Sequence, residues 1–289
     1  MRSNDFATES TRIARRCAIA LIAANVVGAV LVFTLGVFVV PAPKVANQGT
    51  LDLLNAILLV AVLAIAFPIG AVHARRRWAR ISAWMREDRA PTPAERDETI
   101  GFPFQLVRKE AMLWAVAGVP FVVLNATASL VIALECGVEI FLGGLTTCAL
   151  AYLLDEKLSR PLVAEALQRT PLERTDPGCF GVRAHLTLSW VAGAAVPLAA
   201  LMLLGVTVLA GVPASHERIG LAIVLLGAVG VLVGLLASVT TARMLSDPLT
   251  EMRRALARVE EGNLEVAVPV DDGSEIGMLQ SGFNRMMHG

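Results

Sequence analysis

Charged side chains are scarce in this chain and are nearly missing from long stretches of it. They make up 17% of the 289 residues, whereas apolar residues make up 55%, and the mean hydropathy is +0.64. This composition excludes an ordinary soluble domain and is typical of an integral membrane protein.

Cysteine is also sparse. The four cysteines, Cys17, Cys136, Cys148 and Cys179, show no CxxC spacing, and three of them lie in or beside apolar runs. Packing as small buried apolar residues is therefore the expected role, ahead of disulfide formation or metal ligation.

Six uncharged or nearly uncharged runs predict an all-α membrane protein with six transmembrane helices arranged as three hairpins. Five runs are long enough to cross a hydrocarbon core of ~30 Å, and the short fourth run is expected to extend at both ends. The predicted spans are residues 17–40, 53–72, 111–134, 137–156, 186–213 and 219–242. They form a transmembrane domain (17–242) that follows an N-terminal segment (1–16).

The basic residues predict the orientation of these helices. Of the lysines and arginines, 23 fall on one set of connecting segments and 2, Lys44 and Arg218, on the other. The positive-inside rule then places both termini in the cytoplasm and the protein in the plasma membrane. The outer loops are short, with one tip expected at residues 135–139. Any outside signal must therefore be read by the bundle itself or by these tips.

An internal repeat follows the fourth and sixth predicted helices. The stretches LSRPLVAEAL (158–167) and LSDPLTEMRRAL (245–256) share the Leu-Ser-x-Pro-Leu pattern. Because proline is favoured at a first helical position, a new helix is predicted to begin at Pro161 and at Pro248. The charged, proline-containing stretch 87–99 is predicted to be a solvated linker.

After residue 242 the continuous apolar pattern changes to a heptad pattern. Two apolar seams with 3, 4, 3 spacing consist of Leu249, Met252, Leu256 and Val259, and of Ile276, Leu279, Phe283 and Met286. Gly262 is expected to end the first helix, and an alternating connector from Leu264 leads to the second. Two such seams are buried well in a parallel four-helix bundle formed by two chains.

Residues 243–289 therefore resemble a HAMP domain, on the strength of Pro248, EEGNL (260–264) and SEIGMLQSGFNRM (274–286). The resemblance implies a signal relay in a dimer, in which an acidic residue and a glycine (Glu275 and Gly277) anchor the connector to the second helix. The second helix is expected to be cut short at Gly289, with an output domain after it. The expected relay residues are Pro248, Leu249, Met252, Leu256, Val259, Gly262, Leu264, Glu275, Gly277, Leu279, Phe283 and Met286.

Six membrane helices followed by a HAMP domain resemble the membrane-bound class III adenylate cyclases of actinobacteria. That resemblance implies a homodimer that makes cyclic AMP from ATP, with Mg²⁺ or Mn²⁺ in a catalytic domain that this chain lacks. The alternative is the sensor region of a histidine kinase or a diguanylate cyclase. A transporter is disfavoured because no charge is expected near the middle of the membrane.

Several polar residues are weaker site candidates. Glu135 and Glu139, together with His216 and Glu217, would suit a cation or a polar headgroup, although solvated residues at the membrane edge are the simpler expectation. The polar groups Asn25, Asn125 and Thr127 are expected to hold helices together.

The arginines at 75–77 are expected to meet anionic headgroups, with a dedicated lipid site as the alternative. Gly230 and Gly234 form a GxxxG pattern that allows close helix approach within the subunit or across a dimer. A lipid or fatty-acid ligand fits the long apolar walls, and no nucleic-acid partner is expected.

Overall fold

The computed structural model describes residues 2–39, 43, 45–170, 181–213, 215–271 and 273–288, which form helices, turns and one extended connector, without a β-strand. The helices are α1 (Arg2–Thr34), α2 (Gln48–Ile81), α3 (Ala83–Arg86), α4 (Pro93–Ile100), α5 (Phe102–Ala126), α6 (Leu130–Arg169), α7 (Val182–Trp190), α8 (Val196–Leu209), α9 (His216–Glu260) and α10 (Glu275–His288). A π-helical turn, Leu35–Val39, follows α1, and another, Val191–Ala195, joins α7 to α8. Lys44 and Cys179 lie outside the described residues.

Five segments of the described chain are long and apolar enough to cross a membrane. They are Thr11–Phe38, Gln48–Ile81, Leu130–Arg169, Val182–Leu209 and His216–Glu260. Large apolar side chains face outward along them; Val60 is 67%, Leu209 89% and Val231 73% exposed. Side chains of this kind on the outer surface of long apolar helices suit contact with lipid, so the chain is a multi-pass membrane protein.

The turn between the third and fourth predicted spans is displaced. α5 ends at Ala126 and α6 begins at Leu130, where the Ser129 hydroxyl caps the helix by accepting from the Val131 N–H at 3.2 Å. Residues 135–139, predicted as an outer tip, therefore lie inside α6, and this prediction is wrong because the local capping signal at Ser129 was overlooked.

The predicted count of six spans is not confirmed. Helix α5 keeps 14 uncharged residues between Glu110 and Asn125. At ~1.5 Å per residue that stretch covers about 21 Å, which is short of a ~30 Å hydrocarbon core. Accordingly, α5 is not one of the five apolar segments.

Helix α6 is central and contacts α1, α4, α5, α7, α8 and α9. Helix α5 packs antiparallel to it, because Gly118 lies against Ile140 and Gly144 lies against Trp114. Because glycine has no side chain, Gly118 leaves room for Ile140 and Gly144 leaves room for Trp114, and the two helices pack closely.

Amide side chains link the helices inside the bundle. Asn25 on α1 donates to Glu110 Oε1 at 2.5 Å and accepts from Trp114 Nε1 at 2.9 Å. Asn55 on α2 and Asn125 on α5 bond to each other at 3.2 and 3.0 Å. Both pairs connect different helices and satisfy groups that would otherwise be buried without partners.

Two acidic side chains are buried in the bundle, at the ends of predicted spans. Glu110 is only 6% exposed and Asp155 only 2% exposed, and both lie on helices of the bundle.

The end of the bundle from which residues 243–288 project, here called the relay end, has a core of its own. Ile81 and Trp84 pack against Phe102, Leu162 and Ala166, and all five are buried. The end of α2, the start of α5 and the end of α6 are therefore fixed to one another beyond the apolar spans.

Residues 87–99, predicted as a solvated linker, instead contain the capped helix α4. The Thr92 hydroxyl accepts from the Glu95 N–H at 3.3 Å, and Glu95 Oε2 accepts from the Thr92 N–H at 2.9 Å. Glu95 also accepts two hydrogen bonds from Arg89, at 2.6 and 2.7 Å, which lower its pKa to about 2. The Thr-Pro-Ala-Glu sequence is a capping-box signal that the linker prediction overlooked.

Helix α9 approaches the turn Val191–Ala195 closely at glycines. A Cβ atom on Gly193 would lie 2.6 Å from Gly234 Cα, and one on Gly230 would lie 2.7 Å from Pro197 Cβ. The structure thus uses both glycines of the GxxxG pattern for packing within the subunit: Gly234 meets the Gly193 backbone with no side chain between them, and Gly230 meets the Pro197 ring.

We expect Gly193→Ala to push α9 away from this turn, because the new methyl group would meet backbone atoms that cannot rotate aside. Overpacking of this kind costs about 1–3 kcal/mol, so the unfolding midpoint in detergent should fall. Gly227→Ala on α9 is the matched control, since no other atoms lie within 4 Å of its Cβ position. Equal midpoints for the two variants would contradict the close contact.

Candidate signal-relay site

The last membrane helix and the first helix of the relay segment are one continuous helix. Helix α9 runs from His216 to Glu260, and Pro248 lies inside it, fully buried. The prediction that a new helix begins at Pro248 is wrong, as is the same prediction for Pro161 inside α6. A proline removes only one main-chain hydrogen bond, and the long flanking helix on each side keeps the axis continuous.

The carbonyl group that Pro248 leaves without a helical donor is that of Met244, four residues earlier. Arg160 on α6 supplies the missing donor, with its Nη2 atom 2.8 Å from the Met244 carbonyl oxygen. Its Nη1 atom lies 3.4 Å from Asp271 Oδ2 in the connector. One guanidinium group therefore joins α6, α9 and the connector.

The connector turns back along α9 after Gly262. Gly262 has φ of +90°, a left-handed conformation that favours glycine at the end of a helix. Val266 and Val268 then lie buried against Met252 and Ala255. Alternate residues of the extended connector thus cover one face of α9.

Asn284 on α10 fixes the register of this connector. Its Oδ1 atom accepts from the Val268 N–H at 2.8 Å, and its Nδ2 atom donates to the Val268 carbonyl oxygen at 2.7 Å. The side-chain amide satisfies both main-chain groups of Val268, as a neighbouring strand would. Phe283 packs in the same buried cluster as Val268.

The start of α10 lies beside α9 at the level of Met244. Ser274 and Ile276 share a small cleft with Met244 and Leu245. The Ser274 hydroxyl accepts from the Ile276 N–H at 3.3 Å and caps the helix. Because α10 begins here and Phe283 packs further along α9 with Met252, the two helices run parallel.

The connector also contacts the membrane-side helices directly. Val270 packs on a buried cluster formed by Ile100 of α4 with Val163 and Leu167 of α6. The contact lies on the same side as the Arg160–Asp271 pair, so apolar and ionic contacts hold the connector to α6 together.

Glu275, the first residue of α10, contacts the start of α7. Its Oε2 atom accepts from the Val182 N–H at 3.3 Å, at the start of α7. A Cβ atom on Gly181 would lie 2.5 Å from this oxygen, so glycine leaves room for the carboxylate. The negative charge therefore lies at the positive end of α7, a placement that depends on tertiary structure.

A second polar pair borders the same cleft. His185 Nε2 on α7 lies 2.5 Å from Glu156 Oε2 on α6. The cleft is lined by Glu156, Arg160, Val182, His185, Met244, Leu245, Ser274 and Ile276. Helices α6, α7, α9 and α10 thus meet at one junction of polar groups.

The expected relay residues divide into two sets. Pro248, Met252, Gly277 and Phe283 are buried, and Val259 is half-buried. The exposed residues are Leu249 (51%), Leu256 (45%), Leu264 (62%), Leu279 (53%) and Met286 (65%). Gly262 and Glu275 are also exposed. The chain therefore covers only part of its two heptad seams by itself.

The candidate cation site is not assembled in the described part of the chain. Glu135 and Glu139 lie inside α6, whereas His216 and Glu217 begin α9 behind the Ser215 cap. No group of three or more His, Cys, Asp and Glu residues that could hold a metal ion occurs among the described residues. The four candidates thus do not form one metal site there.

Residues 240–289 match the family model of the HAMP domain. The continuous helix, the returning connector and the parallel α10 described above therefore belong to a HAMP domain. The match covers the relay segment and leaves the membrane bundle unclassified.

Almost the whole chain, including the membrane bundle, is similar in sequence to uncharacterized mycobacterial proteins. The chain is 28% identical over 280 residues to the uncharacterized protein Rv1319c of Mycobacterium tuberculosis, covering 96% of this chain and 52% of that protein. It is 25% identical over 270 residues to Rv1318c of the same organism, covering 93% and 49%. It is 26% identical over 278 residues to Mb1354c of Mycobacterium bovis, covering 96% and 48%.

The chain thus spans about half the length of the curated relatives it matches. No solved structure matches the chain.

Sequence reasoning missed Arg160, Asp271 and Asn284. A usable signal was present, because a proline inside a buried helix leaves one carbonyl oxygen that needs a donor from elsewhere. No sequence pattern identified α6 as the source of that donor.

We expect Arg160→Gln and Asp271→Asn each to loosen the connector, measured as faster hydrogen exchange across residues 263–273. The double variant should lose less protection from exchange than the sum of the losses in the two single variants, because both substitutions break the same contact. A coupling free energy of about 0.5–3 kcal/mol is typical of contacting residues. Arg160→Lys keeps the charge but cannot donate in two fixed directions, so it should also loosen the connector. Exposed Lys157→Gln on α6 is the control, and strictly additive effects would contradict a direct contact.

Proposed function

We propose that this chain is the membrane receptor and HAMP relay of a homodimeric adenylate cyclase that makes cyclic AMP from ATP. The observation that carries the proposal is the unbroken helix α9, which runs from the membrane bundle into a HAMP domain docked on α6 through Arg160. A shift or tilt of α9 would move the HAMP helices, and packed helices change between discrete arrangements.

The cyclase class is supported by the resemblance of the whole arrangement, apolar helices followed by HAMP, to the actinobacterial class III enzymes. The matched mycobacterial proteins are about twice as long as the matched region, which leaves room for an output domain in them. A histidine kinase or a diguanylate cyclase would use the same relay and is the alternative. A transporter would have no evident use for a membrane helix that continues into a HAMP domain.

The metal and the nucleotide belong to the output domain in this proposal. The described residues offer no cluster of three or more His, Cys, Asp and Glu side chains for Mg²⁺ or Mn²⁺. In this proposal, the membrane and HAMP residues position two catalytic domains.

We further propose that both termini lie in the cytoplasm and that the membrane is the plasma membrane. The asymmetric distribution of lysine and arginine, 23 against 2, supports this orientation. The relay end would then face the cytoplasm, where ATP is available.

The proposed homodimer would cover the exposed half of the HAMP seams. Leu249 and Leu256 on α9 are 51% and 45% exposed, and Leu279 and Met286 on α10 are 53% and 65% exposed. A second copy would bury them in a parallel four-helix bundle, since the two helices of one chain already run parallel.

Cysteine cross-linking tests this dimer. A cysteine placed at Leu256 should form a disulfide with its copy under mild oxidation in native membranes, because the position would face the partner. A cysteine at Arg254, about 200° around the same helix, is the control and should not cross-link. Equal cross-linking at both positions would contradict the proposed interface.

Product analysis of the full-length protein tests the reaction. Purified protein supplied with ATP and Mg²⁺ or Mn²⁺ should form cyclic AMP, and Arg160→Gln should change the rate without a change in the catalytic domain. Phosphorylation of a histidine by ATP would instead support a kinase, and cyclic di-GMP from GTP would support a diguanylate cyclase. Either result in the absence of cyclic AMP would overturn the proposed reaction.

A further inference from the structure

A cavity of about 850 Å³ lies between α1, α2, α5 and α6. Its size falls within the range of ~300–1,000 Å³ that is usual for small-molecule sites. Its walls are mostly apolar and include Phe33, Leu59, Val62 and Phe67. A long apolar chain would fit these walls, whereas a small polar metabolite would leave most of them uncovered.

Most of the charged groups around the cavity are separated by sign, and the exception is Glu110, which follows Lys109 on α5. At the relay end, the lining includes the basic residues Arg75, Arg77, Arg86 and Lys109. At the opposite end, the lining includes Asp52, Glu135 and Glu139. An amphiphile with a negative headgroup would therefore be oriented with that headgroup at the relay end.

Arg77 is a buried cation that pairs with none of the described carboxylates. It is only 5% exposed, and its guanidinium group donates to the neutral side chain of Gln105 and lies 5.7 Å from the Phe102 ring centroid. Its Nε atom is buried and has no hydrogen-bond partner. Glu98 acts on it electrostatically, but among the described residues no carboxylate lies within ion-pair distance of Arg77.

A buried guanidinium group of this kind is costly unless an anion compensates it. Helix α5 contributes one carboxylate to the same cavity, that of Glu110. This carboxylate already accepts a hydrogen bond from Asn25 at 2.5 Å. Among the described side chains, none therefore supplies the missing anionic partner of Arg77.

We propose that this cavity binds an anionic phospholipid of the bilayer, with its headgroup at Arg77 and an acyl chain along the apolar walls. Arg77 follows the apolar run 53–72 by five residues, about 8 Å along the helix, which is the level of the lipid headgroups. Arg75 and Lys109 add positive charge at the same level, and a guanidinium group can hold a phosphate with two parallel hydrogen bonds. The inference depends on the chain spanning a membrane and not on the class of the output domain.

The bound headgroup would be connected to the relay by contiguous packing. Arg77 lies against Phe102, and Phe102 belongs to the buried core that includes Leu162 and Ala166 of α6. The next buried cluster on α6, at Val163 and Leu167, carries Val270 of the HAMP connector. Lipid occupancy would thus act on the element that holds the connector in place.

Native mass spectrometry of the full-length protein tests this site. After incubation with vesicles that contain phosphatidylglycerol and phosphatidylcholine, the protein should retain one phosphatidylglycerol per chain. Arg77→Gln should lower that retention roughly tenfold or more, as expected for the loss of a charge-assisted hydrogen bond. Arg76→Gln is the matched control, because the neighbouring arginine is exposed and does not line the cavity.

A second pair of variants tests the apolar walls without removing a charge. Ala66→Trp would fill the cavity and should also abolish retention, whereas Ala64→Trp, on the exposed face of α2, should not. This pair keeps the test decisive if Arg77→Gln does not fold. Equal losses in Arg77→Gln and Arg76→Gln, or retention of lipid in Ala66→Trp, would overturn the site.

A competition arm tests the identity of the occupant. Retention of added oleate in place of phosphatidylglycerol, with the same dependence on Arg77, would overturn the phospholipid in favour of a free fatty acid. Lipid retention is measured separately from catalysis. Cyclic AMP formation by a protein with no bound lipid would therefore contradict this lipid site and still support the proposed reaction. Bound lipid without cyclic AMP would do the reverse.

Discussion

The carbonyl oxygen of Met244 is the group on which the junction between membrane and relay depends. Pro248 deprives it of a helical donor at a depth where the helix is buried, and an unsatisfied carbonyl there would cost about 1–3 kcal/mol. The guanidinium group of Arg160 meets this need from another helix. The local defect in α9 is thus what requires α6 to remain beside it.

Because Nη2 of Arg160 is bonded to the Met244 carbonyl oxygen, the direction of its Nη1 atom is fixed, and Asp271 lies in that direction. The remaining contacts of the connector agree with this placement. Val270 rests on α4 and α6, Asn284 fixes Val268, and the Glu275 carboxylate lies at the start of α7. These contacts join the connector and α10 to α4, α6, α7 and α9, so a disturbance of the bundle would reach the HAMP domain.

Sequence alone predicted the features that depend on local pattern. Long apolar runs predicted membrane helices, and heptad spacing with Pro248 and Gly262 predicted a HAMP domain, which the family comparison confirms. The predictions failed where a contact joins distant parts of the chain. Whether a proline starts a helix or lies inside one depends on its packing, and the contact of Glu275 with Val182 joins residues 93 positions apart.

Some predictions failed although the sequence contained the correct local signal, because a longer neighbouring pattern was given more weight. The cap at Ser129 and the capping box at Thr92 are short polar motifs beside much longer apolar or charged stretches. The burial of Arg77 could not be inferred at all, because an arginine at a membrane edge normally reaches water. Its burial results from Phe102 and Gln105, which lie on another helix.

The contact between Gly193 and Gly234 has a mechanical consequence. With no side chains between them, the two backbones are in direct contact. They cannot move closer to each other, and α9 would tilt about this point. Glu260 lies 26 residues further along the same helix, about 39 Å away at ~1.5 Å per residue. A tilt of about 4° at the glycines would displace that end by roughly 3 Å, so α9 would act as a lever whose short arm lies in the bilayer and whose long arm moves the HAMP helices.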